Sequence, residues 1–222
     1  MTIQSLIDKQ DTYEVIRDQI AAILLAETTS QQALATGEGK DPDLWAFDVY
    51  VERFNPWERW QNDRSEGTPI VNVWYESDST DLGASEMAYR QKHDGLFHVD
   101  CYARGVSKAD GGTGHVPGDK AAVLEAQRVT RLVRNILMAS TYTYFGLRKT
   151  VWRRFVQNRV IFQPTYNDRP VQQVMAGRLT FAVEFSEYSP QYEGETLELI
   201  SAQVKRADDG KVYFTADYDV TT

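Results

Sequence analysis

One stretch, residues 119–145, constrains the fold more than any other, because apolar residues recur in it at helical spacing over the longest run in the chain. Ala122, Ala126, Val129, Val133, Ile136 and Leu137 fall three or four residues apart and form one stripe at 3.6 residues per turn. Such a stripe is a core face. Asp119, just after Pro117 and Gly118, is placed to cap the exposed amides at the start, and Gly146 is placed to end the helix. The opposite side carries Arg128, Arg131 and Arg134, which face water or a partner.

With 222 residues and 42% hydrophobic content the chain can bury a substantial core as a single domain, 1–222. No apolar run approaches the roughly 20 residues that span a bilayer. The opening MTIQSLIDKQDTYE lacks the basic-then-apolar pattern of a secretory signal, so a soluble protein of the cell interior with no membrane partner is expected. Cys101 is the only cysteine, which excludes an internal disulfide and any zinc site of several thiolates.

The net charge of -8 is unevenly divided. Residues 120–180 hold eleven basic side chains against Glu125 and Asp168, a balance of +9, so the remainder carries -17. The division fits a nucleic-acid patch, or basic and acidic faces that meet between neighbouring subunits. An acidic envelope weakens binding to phosphates, which favours the second.

Ahead of the central stretch, Asp11 and Glu14 have capping-box spacing, and Ile16, Ile20, Ile23 and Leu24 form a stripe that predicts a helix over 12–27. The polar tract that follows prolongs the helix briefly or serves as a linker. Residues 45–54 alternate as a half-buried strand, and 70–75 follow as its antiparallel neighbour. Between them a loop, 55–67, holds Trp57 and Trp60, which either fold back onto the core or anchor another subunit. Residues 77–95 read as a polar loop with a short helix around 86–91, and 97–104 alternate as a third strand with Cys101 inward.

Beyond the central helix, residues 141–170 mix aromatic and basic side chains. Val160, Ile161 and Phe162 suggest a short strand ending at Pro164, with helix or extended arm before it. Residues 178–185 alternate strongly, and two last strands, 196–205 and 211–218, are joined through Asp209 and Gly210 as a hairpin. The fold class is therefore α+β: a mainly antiparallel sheet packed against two amphipathic helices, with long loops or arms and a C-terminal β-hairpin.

Catalytic chemistry finds little support. His98 and Asp100 share a strand face and could bind a metal or share a proton, but no third ligand is identifiable and a solvated strand face is the simpler reading. Cys101 points to the opposite side, which argues against a cysteine-histidine pair. GGTGH, ending at His115, lacks the Gly-Lys-Ser/Thr of a phosphate loop. No catalytic residue, cofactor site or metal site is nominated, and a non-enzyme is expected. Segment 142–159 is the best nucleic-acid candidate, with Trp152 and Phe155 to stack on bases and Arg153 and Arg154 to meet phosphates. The same residues also suit a protein contact, the preferred reading. The interface candidates are Trp57, Trp60, Arg128, Arg131, Arg134, Arg148, Lys149, Arg153, Arg154 and Arg159.

The segments YEVIRDQIAAILLAE, LFHVDCYARG leading to KAAVLEAQRVTRLVRNILMAS, and VMAGRLTFAVEFSEYSPQYEGETLELI, in that order and in an acidic chain of this length, resemble the tail-terminator (tail-completion) proteins of long-tailed bacteriophages. Loop 55–67 and arm 141–170 make the chain larger than compact members of that group. The resemblance implies a structural virion protein of the tail-neck junction, assembled in the host cytoplasm. It implies a ring, a homohexamer, that caps the tail tube, stops its growth and meets the neck or connector protein, and in a contractile tail the sheath. DNA would pass through the ring without specific binding. Another connector or neck subunit is the nearest alternative, and a nucleic-acid-binding protein using 142–159 the alternative from a different class.

Overall fold

The computed structural model describes residues 9–60, 67–80, 90–107, 114, 116–166, 169–170, 173–188, 199–205 and 212–219. The chain divides into two compact units, Ile7–Ser189 and a smaller one that takes in Pro190–Thr222, where a single domain was expected. The division follows the hydrophobic patterning: both amphipathic helices and the strongest strand lie within the larger unit.

Helix α1 spans Thr12–Gly37. The Glu14 carboxylate accepts from the Asp11 backbone N–H at 3.0 Å, the reach-back half of a capping box. Ile16, Ile20, Ile23 and Leu24 are buried as the stripe predicts. The helix continues well past residue 27. Thr29, Ser30 and Thr36 return their hydroxyls to carbonyls four residues back, and Thr28 donates to the Trp45 carbonyl at 2.7 Å. Hydroxyls that would otherwise compete with helical hydrogen bonding are thereby satisfied, three within the helix and that of Thr28 outside it. Ala35 is buried, and Gly39 at φ +68 turns the chain away.

The expected strand at 45–54 is much shorter. Residues Pro42–Trp45 form a 3-10 turn whose start is capped by the Asp41 side chain, and strand β1 covers only Asp48–Val51. It pairs with β2, Ile70–Thr80, in parallel and not antiparallel. A parallel pair needs a crossover of a dozen residues or more, and the excursion through Pro56–Trp60 supplies that path.

Strand β3, Arg90–Arg104, pairs antiparallel with β2 along its length. It begins earlier than its apolar alternation suggests, so most of the supposed loop at 77–95 is ladder where it is described. Side chains there are polar on both faces, which hides a strand from a period-two reading. Residues 86–89 of the expected short helix lie outside the described residues, and Arg90 and Gln91 are strand.

Helix α2 spans Gly118–Leu137, so Asp119 sits in its first turn and not at the cap. The Ser107 hydroxyl accepts from the Gly118 N–H at 3.1 Å instead. All six stripe residues are buried, but the helix stops short of residue 145. A 3-10 turn at Ser140–Tyr142 follows, and then Phe145 at φ +50. That positive φ is costly for an aromatic residue. It carries the Phe145 ring into the core, edge-on to Phe181 at 6.4 Å between centroids.

Strand β4, Val151–Phe162, makes the middle of the expected arm part of the main sheet. Short strands β5, Thr165–Tyr166, and β6, Arg169–Pro170, pair with each other. The long β7, Val174–Tyr188, lies between β3 and β4 and completes the five-stranded order β1-β2-β3-β7-β4. In the smaller unit β8, Leu199–Lys205, and β9, Val212–Asp219, form an antiparallel pair. The Asp-Gly connection between them lies outside the described residues.

Both helices cover one face of the main sheet, where Val71, Val73, Phe97, Val99, Cys101, Leu179, Phe181 and Phe185 join their stripes in one core. Burying each large side chain contributes about 1.5–3 kcal/mol. Close approach of α2 to β7 depends on Gly177, since a Cβ there would lie 2.0 Å from the Thr130 hydroxyl oxygen. No helix among the described residues is long and apolar enough to cross a membrane.

Candidate functional site: a basic edge strand and a buried polar face

Strand β4 closes one end of the main sheet. Val151 is buried and Val156 packs against the helix-side core, while Trp152, Phe155 and Val160 stay 54%, 43% and 44% exposed. Irregular register at Val151/Arg153 and Val156/Asn158 breaks the alternation, which is why the segment did not read as a strand. Trp152 donates its indole N–H to Ser186 at 2.8 Å, and Arg90 lies over the rings of both Trp152 and Tyr188.

The arginines of this region divide by role. Arg153 pairs with Glu184 and lies over Phe155, remaining mostly exposed. Arg154 donates to the carbonyls of Tyr142 at 2.8 Å and Ala139 at 3.1 Å and covers the Phe145 ring. It pins the turn that follows α2, and burial pushes its pKa below the usual arginine value. Arg148 lies over Tyr144, and Lys149 and Arg159 are exposed.

The remaining candidates lie elsewhere. Arg128 pairs with Glu125 and donates to the Leu44 carbonyl. Arg128 and Arg131 line a groove of about 630 Å³ with Asp43, Leu44 and Leu124, and Arg134 is exposed further along α2. Trp57 and Trp60 are core residues and not surface anchors: only 6% and 4% exposed, they form a second cluster with Ile70, Tyr102, Val174 and Ala176. Of the two readings open for them, folding back is the one observed. The ten candidates are therefore spread over a buried cluster, a helical groove and a sheet edge.

The face of the main sheet not covered by the helices holds what the sequence reading missed. Asp100, almost wholly buried, receives Arg178 Nε at 2.7 Å and Nη2 at 2.9 Å, the Trp74 indole at 3.1 Å and the Tyr102 hydroxyl at 3.1 Å. His98 bridges Glu76 at 2.7 Å and Thr180 at 3.0 Å. The solvated face expected for His98 and Asp100 is thus a buried network across β2, β3 and β7. Register makes it: Asp100 stands opposite Asn72 on one side and Arg178 on the other.

Arg178 also lies over Trp74 at 4.8 Å and Phe162 at 5.2 Å. Beside them opens a cavity of about 350 Å³, lined among others by Arg53, Trp57, Trp74 and Asp100. Burial raises the pKa of the Tyr102 phenol, and the Asp100 charge adds to the rise. Burial likewise raises that of the Cys101 thiol, which sits on the helix side as expected. With four donors on Asp100, this arrangement holds strands together and leaves no activated nucleophile. Among the described residues no three His, Cys, Asp or Glu side chains gather as metal ligands. His93 lies 3.1 Å from Asp78, and His115 is outside the described residues.

Comparison with known proteins finds no family model that matches the chain and no curated protein similar to it.

Proposed function

We propose that this chain is a non-catalytic virion protein, a tail terminator whose copies form a ring on the head-proximal end of a phage tail tube. The observation that carries the reading is β4: among the described residues a 12-residue edge strand, with Trp152, Phe155 and Val160 exposed beside Arg153 and Arg159. A long edge of open backbone groups is a template for another polypeptide, and aromatic and arginine side chains are favoured at protein interfaces.

The divided charge supports the same reading. A closed ring needs a heterologous contact, in which one surface of a subunit meets a different surface of the next. A segment of +9 in a chain whose remainder carries -17 favours contact between unlike parts of neighbouring copies. The partners of such a ring, a homohexamer, are the tail tube protein, the neck or connector protein and, in a contractile tail, the sheath. DNA passes through it unbound. A nucleic-acid site on 142–159 is disfavoured because Glu184 engages Arg153 and backbone carbonyls engage Arg154.

Lysates of a phage unable to make the chain test this proposal. Tail tubes that grow beyond normal length and stay separate from filled heads are expected. Tails of normal length joined to heads would reject the terminator reading.

A further inference from the structure

If copies of this chain form a ring, as proposed above, the partner of β4 is another copy of the chain. Among the described residues β4 is bonded on one side only, to β7. Arg159 is exposed on it and Arg153, beside its Glu184 partner, is mostly exposed, so pairing β4 with β4 would place like charges near one another, which is destabilising. An incoming strand should be acidic and rich in β-forming residues.

The chain contains such a strand. The β8–β9 pair is the only sheet described in the smaller unit, and a two-stranded hairpin is marginally stable in water without a third strand or other packing. Strand β9 reads VYFTADYD, aromatic and β-branched, with two aspartates and no basic residue. Residues 190–222 together hold seven acidic and three basic side chains, a balance of -4.

We propose that β9 of one copy adds as a strand to β4 of the next, continuing the five-stranded sheet across the subunit boundary. Backbone hydrogen bonds then give affinity and side chains give specificity, as in strand addition generally. Donor and acceptor strands differ, so the contact is head-to-tail and propagates around a ring. The bulges in β4 leave 153–156 and 158–162 as its regular stretches, which bounds where the added strand can lie.

Full-length single-cysteine variants test the pairing, because native Cys101 is buried and its thiol is held protonated. Gln157→Cys and Arg159→Cys place a thiol on β4; Thr215→Cys and Ala216→Cys place one at adjacent positions of β9. Each β4 variant is mixed with each β9 variant and treated with a short bismaleimide. A β4–β9 linked dimer in at least one mixture, and no linked dimer from either variant alone, is expected. Absence of that product from every mixture, or linked dimers from a β4 variant alone, would overturn the proposal. Adding Arg159→Glu to the Gln157→Cys chain should cut the yield severalfold, and Asp217→Lys with Asp219→Lys on the β9 chain should restore it; no restoration also counts against it. The same link sought in whole particles separates the two ideas. A chain at the tail-neck junction without the link sinks the pairing and spares the terminator reading, whereas the link in purified protein with the chain absent from that junction does the reverse.

Discussion

Arg178 grips Asp100 through two nitrogens, Nε at 2.7 Å and Nη2 at 2.9 Å, directly across the β3–β7 ladder. The carboxylate is buried and the guanidinium about one-third exposed. Removing one partner of such a pair strands a charge, whereas replacing both with apolar groups often costs little. Arg178→Ala should therefore destabilise the fold by about 3 kcal/mol, with Asp100 left to Trp74 and Tyr102 alone. Arg178→Met combined with Asp100→Asn, which removes the buried charge and keeps an acceptor for Trp74 and Tyr102, should lose clearly less. Urea unfolding followed by tryptophan fluorescence measures both.

A second prediction concerns the contact of α2 with β7. Gly177→Ala would put a methyl group 2.0 Å from the Thr130 oxygen and 3.1 Å from Ile161, which overpacks the core. A loss of about 1–3 kcal/mol is expected. Adding Thr130→Ala removes the worst clash and should recover part of it; a double variant as unstable as the two single losses summed would contradict the geometry.

Arg154 and Arg159 separate folding from assembly. Arg154→Ala frees two carbonyls and uncovers Phe145, so a stability loss of about 1–2 kcal/mol is expected. Arg159→Ala, exposed on β4, should leave unfolding within about 0.5 kcal/mol of the parent and yet weaken self-association. Chemical denaturation and light scattering of the same samples compare the two.

The pH dependence should carry a signature of Glu187, which accepts from the Thr12 N–H at 3.0 Å and whose pKa is raised above the usual carboxylate value by burial. A raised acid binds its proton more tightly folded than unfolded, so the stability it contributes is full below the unfolded pKa. That contribution declines as pH rises through the folded pKa. Glu187→Gln keeps an acceptor for Thr12 and removes the titration. The stability of this variant relative to the parent should rise as pH increases from the acid range toward neutrality, measured by thermal unfolding.

Much of the helix-side architecture could be read from local pattern, because the stripe from Ala122 to Leu137 and the alternation of Leu179, Phe181, Val183 and Phe185 each report a single buried face. Three features could not. The parallel pairing of β1 with β2 depends on how the chain returns through the Pro56–Trp60 excursion, and alternation within a strand is silent on direction. The bulges in β4 break its period, so only Val160 to Phe162 stood out. Asp100 and Arg178 lie 78 residues apart, and only register brings them together. Buried polar residues of that kind look like surface in a sequence. The basic character of β4 was visible from composition, but not that Arg154 turns inward while Arg159 stays out.

The proposed ring, with β4 as a subunit contact, would be visible in a cryo-electron microscopy map of the intact particle. One closed ring of this chain between tail tube and neck is expected, with Trp152 and Phe155 buried against the adjacent copy. A map that finds the chain elsewhere in the particle, or in such a ring with β4 open to solvent, would contradict it.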